Sequence, residues 1–216
     1  MGLAVDALFF LAAFVTPVAV CIAMLVEGKA KLNSSFTWHP ILMSLAFSCC
    51  MVLGRWAYVT DSLGEKVKQR PVHRGLMILA ALFAIGGYVA IFLAHLKVHK
   101  FFGYDFKHHA WAVPGRVIHD LLGYGILLLT LAQAGMGLLK LSKLKGGVKV
   151  FTFHGTLGKS IIVLAAVQII VACIIWPLPL NDYLKILIGV LATGAALCGA
   201  FFPVSQEREV LVSSRA

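Results

Sequence analysis

Four histidines stand at or near the starts of four consecutive apolar runs. His39 lies in Phe36-Thr37-Trp38-His39-Pro40 and His73 in Pro71-Val72-His73-Arg74-Gly75. His119 lies in Arg116-Val117-Ile118-His119-Asp120 and His154 in Phe151-Thr152-Phe153-His154-Gly155. If successive runs cross a bilayer in alternating directions, His39 and His119 share one depth near one face, and His73 and His154 share one depth near the other. An imidazole nitrogen suits an axial position of haem iron, and two imidazoles close both positions, so the iron cycles between redox states without binding oxygen. Two level pairs therefore predict two b-type haems forming a relay between the aqueous faces. A lone histidine near a membrane interface is usually just a polar residue at headgroup level. That bland reading does not account for four of them in order and in level pairs. Zinc would want three or four ligands converging at one depth, which this pattern does not offer. Gly75, Gly123, Gly155 and Gly158 beside these histidines, and Gly54, Gly86, Gly87, Gly135 and Gly137 on other turns, leave room for a flat ring. Small residues serve helix packing in membranes too, so the glycines alone decide nothing.

The elements that must hold these histidines follow from hydropathy. Of 216 residues, 60% are hydrophobic and 13% charged, and the mean hydropathy is +0.91. A soluble domain of this length would need far more polar surface. Runs long enough to cross a hydrocarbon core of about 30 Å recur along the chain. The expected spans are Leu3 to Val26, Phe36 to Val59, Val72 to Leu96, Gly115 to Leu139, Val150 to Trp176 and Asp182 to Phe202. Charge and turn residues break them at Glu27–Ser35, Asp61–Pro71, Lys97–Pro114, Lys140–Lys149 and Pro177–Asn181. In lipid, backbone groups must pair within the segment, so the spans are helices. The fold class is an all-α membrane protein of six transmembrane helices. Spans two to five form a central four-helix bundle holding the two b haems. The whole chain, 1–216, is one membrane domain with its di-haem core at 36–176. The near-equal offsets from His39 to His119 and from His73 to His154 suggest two matching helical hairpins.

The net charge of +10 sits almost wholly in the connections. With six spans both termini share a face, together with Lys66, Lys68, Arg70, Arg74, Lys140, Lys143, Lys145, Lys149, Arg208 and Arg215. The opposite face has fewer cations: Lys29, Lys31, Lys97, Lys100, Lys107, Arg116 and Lys185. The positive-inside rule makes the first face, with both termini, cytosolic. Arg55 is expected to snorkel from the cytosolic end of span two, and Lys159 to face the bundle or reach the cytosolic headgroups. Cations spread over both faces argue against nucleic acid as a partner and for a lipid bilayer. Cys21, Cys49, Cys50, Cys173 and Cys198 lie in apolar runs without a C-x-x-C and act as small hydrophobes. The first run is too long for a signal-peptide core, lacks a basic lead and is expected to be retained. Met1-Gly2 lacks Ser or Thr at position 6, and the tail Pro203–Ala216 carries no prenylation or retention signal.

The block Phe36-Thr37-Trp38-His39-Pro40-Ile41-Leu42-Met43-Ser44-Leu45-Ala46-Phe47 strongly resembles the second-helix signature of the eukaryotic cytochrome b561 family. The resemblance is closest to its short branch, called domain-containing or tumour-suppressor. It extends through His73-Arg74-Gly75, Ile118-His119-Asp120-Leu121-Leu122-Gly123 and His154-Gly155-Thr156-Leu157-Gly158, covering about residues 36 to 176. It implies two haem b groups and electron transfer across a membrane driven by cytosolic ascorbate. The haem of His73 and His154 would take the electron and the haem of His39 and His119 would pass it on. The acceptor would be monodehydroascorbate or a ferric iron chelate. Membership would also imply a homodimer and residence in an endomembrane or the plasma membrane. The family's pairing of helices two with four and three with five agrees with the pairing deduced from depth.

Ascorbate is a monoanion at neutral pH, so its site should be cationic. The cytosolic candidates are Lys66, Lys68, Arg70 and Arg74 ahead of and beside His73, and Lys145 and Lys149 ahead of His154. The opposing explanation is that these cations only set topology. On the other face His108, His109 and Arg116 are candidate substrate contacts. Arg116 stands three residues before His119, nearly on the same helical face. The pair His108-His109 could also bind Fe³⁺ or Cu²⁺ weakly, or carry a proton with the electron. The family's serine-leucine-histidine-serine-tryptophan block is here Val117-Ile118-His119-Asp120-Leu121, which leaves ferric reduction open. Two other functions compete: a histidine-lined metal or proton transporter, and a quinol-linked cytochrome b subunit. A transporter would favour acids at mid-membrane, whereas Asp6, Glu27, Asp61, Glu65, Asp105, Asp120, Asp182, Glu207 and Glu209 lie at span ends or in loops.

Overall fold

The computed structural model describes residues 2–64, 66–176 and 180–203, without the side chains of Glu27, Lys66 and Lys145. Glu65, Glu207, Arg208, Glu209 and Arg215 lie outside the described residues, as does most of the Pro177–Asn181 turn. Six helices are long and apolar enough to cross a membrane. The first is α1, Gly2–Ile22, which ends in wide π-type turns at Ala23–Glu27. The second span is α2, Ser35–Ser44, continued through a π-type stretch at Leu45–Met51 into α3, Val52–Val59. Then come α4, Lys66–Leu96, α5, Pro114–Lys145, α6, His154–Ile174, and α7, Asp182–Phe201. The protein is an integral, multi-pass, all-α membrane protein.

The helices pack as two close pairs. The α2/α3 span lies along α4, and α5 lies along α6. Helices α1 and α7 pack on each other and cover the outer side of the second span, and α7 also lines α6. Small side chains dominate the shared core: Ala13, Ala46, Ala80, Ala84, Ala165, Ala192 and Ala195 pack with Phe9, Val52 and Ile161. In lipid there is no hydrophobic gain in joining helices, so close van der Waals approach through small residues must hold them. At Gly199 a Cβ would already press on Ile162 and Val52 at 3.3 Å.

Two polar links tie the outer helices to the second span. Asp6 of α1 accepts hydrogen bonds from Trp56 Nε1 at 2.7 Å and Thr60 Oγ1 at 2.5 Å, and also from Ser62 Oγ. Arg55 Nη2 donates to the Phe202 carbonyl at the end of α7, 3.1 Å away. The guanidinium there satisfies a helix-end carbonyl that has no partner within its own helix. Lys159 is half-buried in the second turn of α6, near the end of the bundle where His154 stands. All five cysteines are free.

Several boundaries differ from the hydropathy reading. Helix α4 begins at Lys66, ahead of the expected Val72, and α5 runs to Lys145, beyond the expected Leu139. Hydropathy reports the lipid-crossing part of a helix, and basic turns extend it into water. Helix α6 starts later than Val150, at His154, because Phe151 takes a left-handed φ of 51°. His154 is thus the first residue of its helix and not one turn in, while His73 lies about two turns into α4. The expected solvated loop 97–113 contains a three-stranded antiparallel meander of Lys100–Phe101, Tyr104–Asp105 and Ala110–Trp111. Asp105 faces Lys100 on one side and Ala110 on the other. Aromatic packing holds it: Tyr104 meets Phe106 and Trp111 with ring centres 5.0 and 5.1 Å apart. Gly103 turns the chain at φ 76°, and any Cβ there would stand 2.8 Å from the Val117 backbone. The meander therefore sits directly on the first turns of α5.

The Asp6 link generates a test. Asp6→Ala leaves Trp56, Thr60 and Ser62 donors without their acceptor. An unsatisfied part-buried donor costs about 1–3 kcal/mol, so thermal unfolding in detergent should occur at clearly lower temperature. Asp6→Asn, which keeps one acceptor oxygen, should lose less.

Candidate functional site

His39 projects from α2 and His119 from α5, and their ring centres are 6.3 Å apart with planes at 79°. His73 of α4 and His154 of α6 form the second pair, with centres 6.5 Å apart and planes at 77°. Each pair joins one helix of the α2/α3–α4 couple to one helix of the α5–α6 couple. His39 lies near the start of α2 and His73 near the start of the oppositely running α4, so the pairs stand toward opposite ends of the bundle.

Local sequence explains how the first couple aims its imidazoles. His39 Nδ1 is 3.0 Å from the Gly87 carbonyl on α4, and His73 Nδ1 is 2.8 Å from the Gly54 carbonyl on α3. A carbonyl only accepts, so each Nδ1 carries the proton and donates it. The lone pair is then left on Nε2. Glycine at both acceptors leaves room for flexible side chains to pack against the backbone. A Cβ at Gly87 would meet Met43 and Leu42 at 3.1–3.3 Å, and one at Gly54 would collide with Met77 Cε at 2.0 Å. The π-type stretch Leu45–Met51 lies between His39 and Gly54. One extra residue there rotates all that follows by about 100° relative to a regular helix, which sets the face on which Gly54 meets His73.

The second couple repeats the pattern with glutamines. Gln168 Nε2 of α6 donates to the His119 carbonyl at 2.6 Å, and Gln133 Nε2 of α5 donates to the His154 carbonyl at 2.7 Å. Gly123 and Gly158, each one turn beyond its histidine, leave space for these amides, since a Cβ at either would stand 3.0 Å from the glutamine nitrogen. Gly137 faces the His154 ring, where a Cβ would stand 3.3 Å from Cε1.

The imidazole separations bear on what the pairs can hold. A metal–imidazole bond is about 2 Å and the ring centre lies about 1 Å behind the nitrogen, so two rings facing across one ion have centres about 6 Å apart. Both observed separations match. Among the described residues no three His, Cys, Asp or Glu side chains converge on a common point. A two-imidazole site suits an ion whose other positions are filled by its own macrocycle, which is the axial set of a b-type haem.

Fold and site together define the class: a six-span membrane protein whose bundle presents two facing imidazole pairs. Residues 38–170 match the model of eukaryotic cytochrome b561. The chain belongs to that family. It is accordingly a haem-binding oxidoreductase of the kind that transfers electrons across a membrane. A search of curated protein sequences returns no match.

The other expected site residues divide by position. Lys68, Arg70 and Arg74 are exposed on the first turns of α4, around His73, and Lys149 is exposed in the connection before His154. None of these four makes an ion pair among the described residues. The side chains of Lys66 and Lys145 lie outside the described part. Sequence reasoning passed over two neighbours of this end. The Tyr58 ring lies 5.0 Å from the His73 ring and interacts electrostatically with Arg70. Lys140 Nζ donates to the Phe151 carbonyl at 3.2 Å and lies beside His154. Neither stands in a motif, so only the folded chain reveals them. At the other end Arg116 is half-buried in the first turn of α5, where it interacts with His95 and Asp120. His108 and His109 are exposed, and they do not act as a pair. His108 Nδ1 lies 2.9 Å from Asp105 Oδ2, and Lys100 Nζ lies 3.1 Å from the same oxygen.

The hydrogen bond from His108, with Lys100 beside it, holds the Asp105 carboxyl well below the usual carboxylate range. A group depressed in the folded chain orders the meander above the carboxylate's unfolded value, about 3.9. That contribution fades as pH falls from there through the lower folded value. Asp105→Asn removes it at every pH. Hydrogen exchange of amides 100–111, corrected for intrinsic pH dependence, should be faster in Asp105→Asn at pH 7. In the wild type it should also become faster as pH falls below about 4.

Proposed function

We propose that this protein carries electrons from cytosolic ascorbate, through two haem b groups, to a non-cytosolic acceptor that is either monodehydroascorbate or a ferric iron chelate. His73 and His154 would hold the haem at the cytosolic end, and His39 and His119 the haem at the far end. The single observation that carries this reading is the pair of facing imidazole couples, one toward each end of the bundle, at separations suited to one metal ion each. When bound, each haem would supply a one-electron couple.

The chain's own residues do the rest. Gly87 and Gly54 carbonyls accept Nδ1–H from His39 and His73, which fixes the tautomer, orients the ring and raises the basicity of Nε2. At the cytosolic end Lys68, Arg70, Arg74 and Lys149, with Lys66 and Lys145, supply positive potential for the ascorbate monoanion. Tyr58 stands against the His73 ring and interacts electrostatically with Arg70, so it links one of these cations to the imidazole pair. At the far end Arg116, in the first turn of α5, and His108 and His109, in the meander, are the candidate contacts for the acceptor. With both termini cytosolic, the basic extensions of α4 and α5 satisfy the positive-inside rule.

Purified protein reduced by ascorbate alone should develop sharp b-type α-bands, and pyridine haemochrome assay should return about two haems per chain. His39→Ala or His119→Ala should remove one haem and spare the other, and His73→Ala or His154→Ala should do the reverse. Loss of both haems from a folded single variant would show that the pairing is wrong, and a colourless wild type would end the proposal. Gly137→Val should lower occupancy of the His73/His154 site alone, because its added bulk meets the His154 ring.

A further inference from the structure

The four imidazoles are not held alike. His39 and His73 have carbonyl acceptors for Nδ1, whereas the Nδ1 atoms of His119 and His154 are buried and have no partner among the described residues. Two acceptors are stranded beside them. Gln168 Oε1 and Gln133 Oε1 are likewise buried without a partner. Each glutamine already touches the histidine in question, through the Nε2 bond to its carbonyl at 2.6 or 2.7 Å. With Nε2 of an imidazole given to a metal, its proton must sit on Nδ1, so each unpaired nitrogen becomes a buried donor. An unmatched buried donor or acceptor costs about 1–3 kcal/mol, so the two vacancies at each end are best relieved by each other. The last torsion of a glutamine is broad and turns at little cost. Gly123 and Gly158 leave each amide the space to turn.

We propose that Gln168 and Gln133 are positioning residues for the axial ligands: Gln168 Oε1 accepts Nδ1–H of His119, and Gln133 Oε1 accepts Nδ1–H of His154. Each haem would then have one ligand steadied by a fixed backbone carbonyl and one by a side chain that can be exchanged. An acceptor on Nδ1–H makes the imidazole a stronger donor to iron and favours the oxidised state. The two glutamines therefore set the midpoint potentials of the two haems separately. This inference rests on the two-haem reading above.

The test is a redox titration of the purified full chain in nanodiscs, following the two haems spectroscopically. Gln168→Leu should raise the potential of the His39/His119 haem and leave the other unchanged. A lost hydrogen bond of about 1 kcal/mol is about a fivefold change in the reduced-to-oxidised ratio, or about 40 mV for one electron. Gln133→Leu should do the same for the His73/His154 haem only. Gln168→Glu and Gln133→Glu, which keep an acceptor oxygen, should return each potential to the wild-type value or below it. Loss of only the adjacent haem in a leucine variant, with recovery in the glutamate variant, would also support the assignment. Unchanged potentials in both leucine variants at full haem content would overturn it, as would equal shifts of both haems or loss of both. A wild type without two reversible b-type couples would instead remove the reading beneath it, which keeps the two failures apart.

Discussion

Helix approach at glycine carbonyls governs this bundle. An imidazole can face a partner across a bundle only if its ring is held, and in lipid the available acceptors are nearly all backbone carbonyls already used by their own helices. Gly87 and Gly54 resolve this by letting a second helix come close enough for its histidine to share a carbonyl. The same approach explains the tight α2/α3–α4 contact and the flanking methionines Met43 and Met77, which fill the space a Cβ would have taken.

The two helix couples solve one problem with different chemistry. In the first, the histidine side chain reaches a carbonyl on the neighbour. In the second, the neighbour's glutamine reaches the histidine's own carbonyl, through the gap left by a glycine one turn on. Both couples are internally reciprocal, each helix holding the histidine of the other. Such mutual bracing makes each couple a rigid unit, and the imidazole pairs are the places where the two units meet.

Outside the bundle the structure keeps polar groups satisfied where they bind helices together. Asp6 collects Trp56, Thr60 and Ser62, and Arg55 closes the end of α7. The meander over the His119 end is pinned by Asp105, by aromatic stacking and by the close seat of Gly103 on Val117. Through Gly103 it rests on the first turns of α5, the helix that carries His119. Lys68 and Arg70 at the His73 end are instead mounted on the helical extension of α4, which gives them a firmer base than the expected loop.

The sequence by itself determined the number of spans, their helical nature and the four histidines, because hydropathy and the need to pair backbone groups in lipid leave little choice. Alternating direction was enough to predict which histidines share a depth. Helix ends were less legible: Lys66 and Lys145 extend helices in water, where no hydropathy signal marks the boundary, and the left-handed Phe151 delays α6. The meander was not legible at all, since its strands are two residues long and owe their pairing to aromatic contacts with one another and with α4 and α5. Only the tertiary structure decided which carbonyls hold His39 and His73, and that Gln133, Gln168, Tyr58 and Lys140 stand beside the histidines. Those contacts join residues far apart in the chain and depend on rotation and close approach of whole helices, which local spacing does not encode.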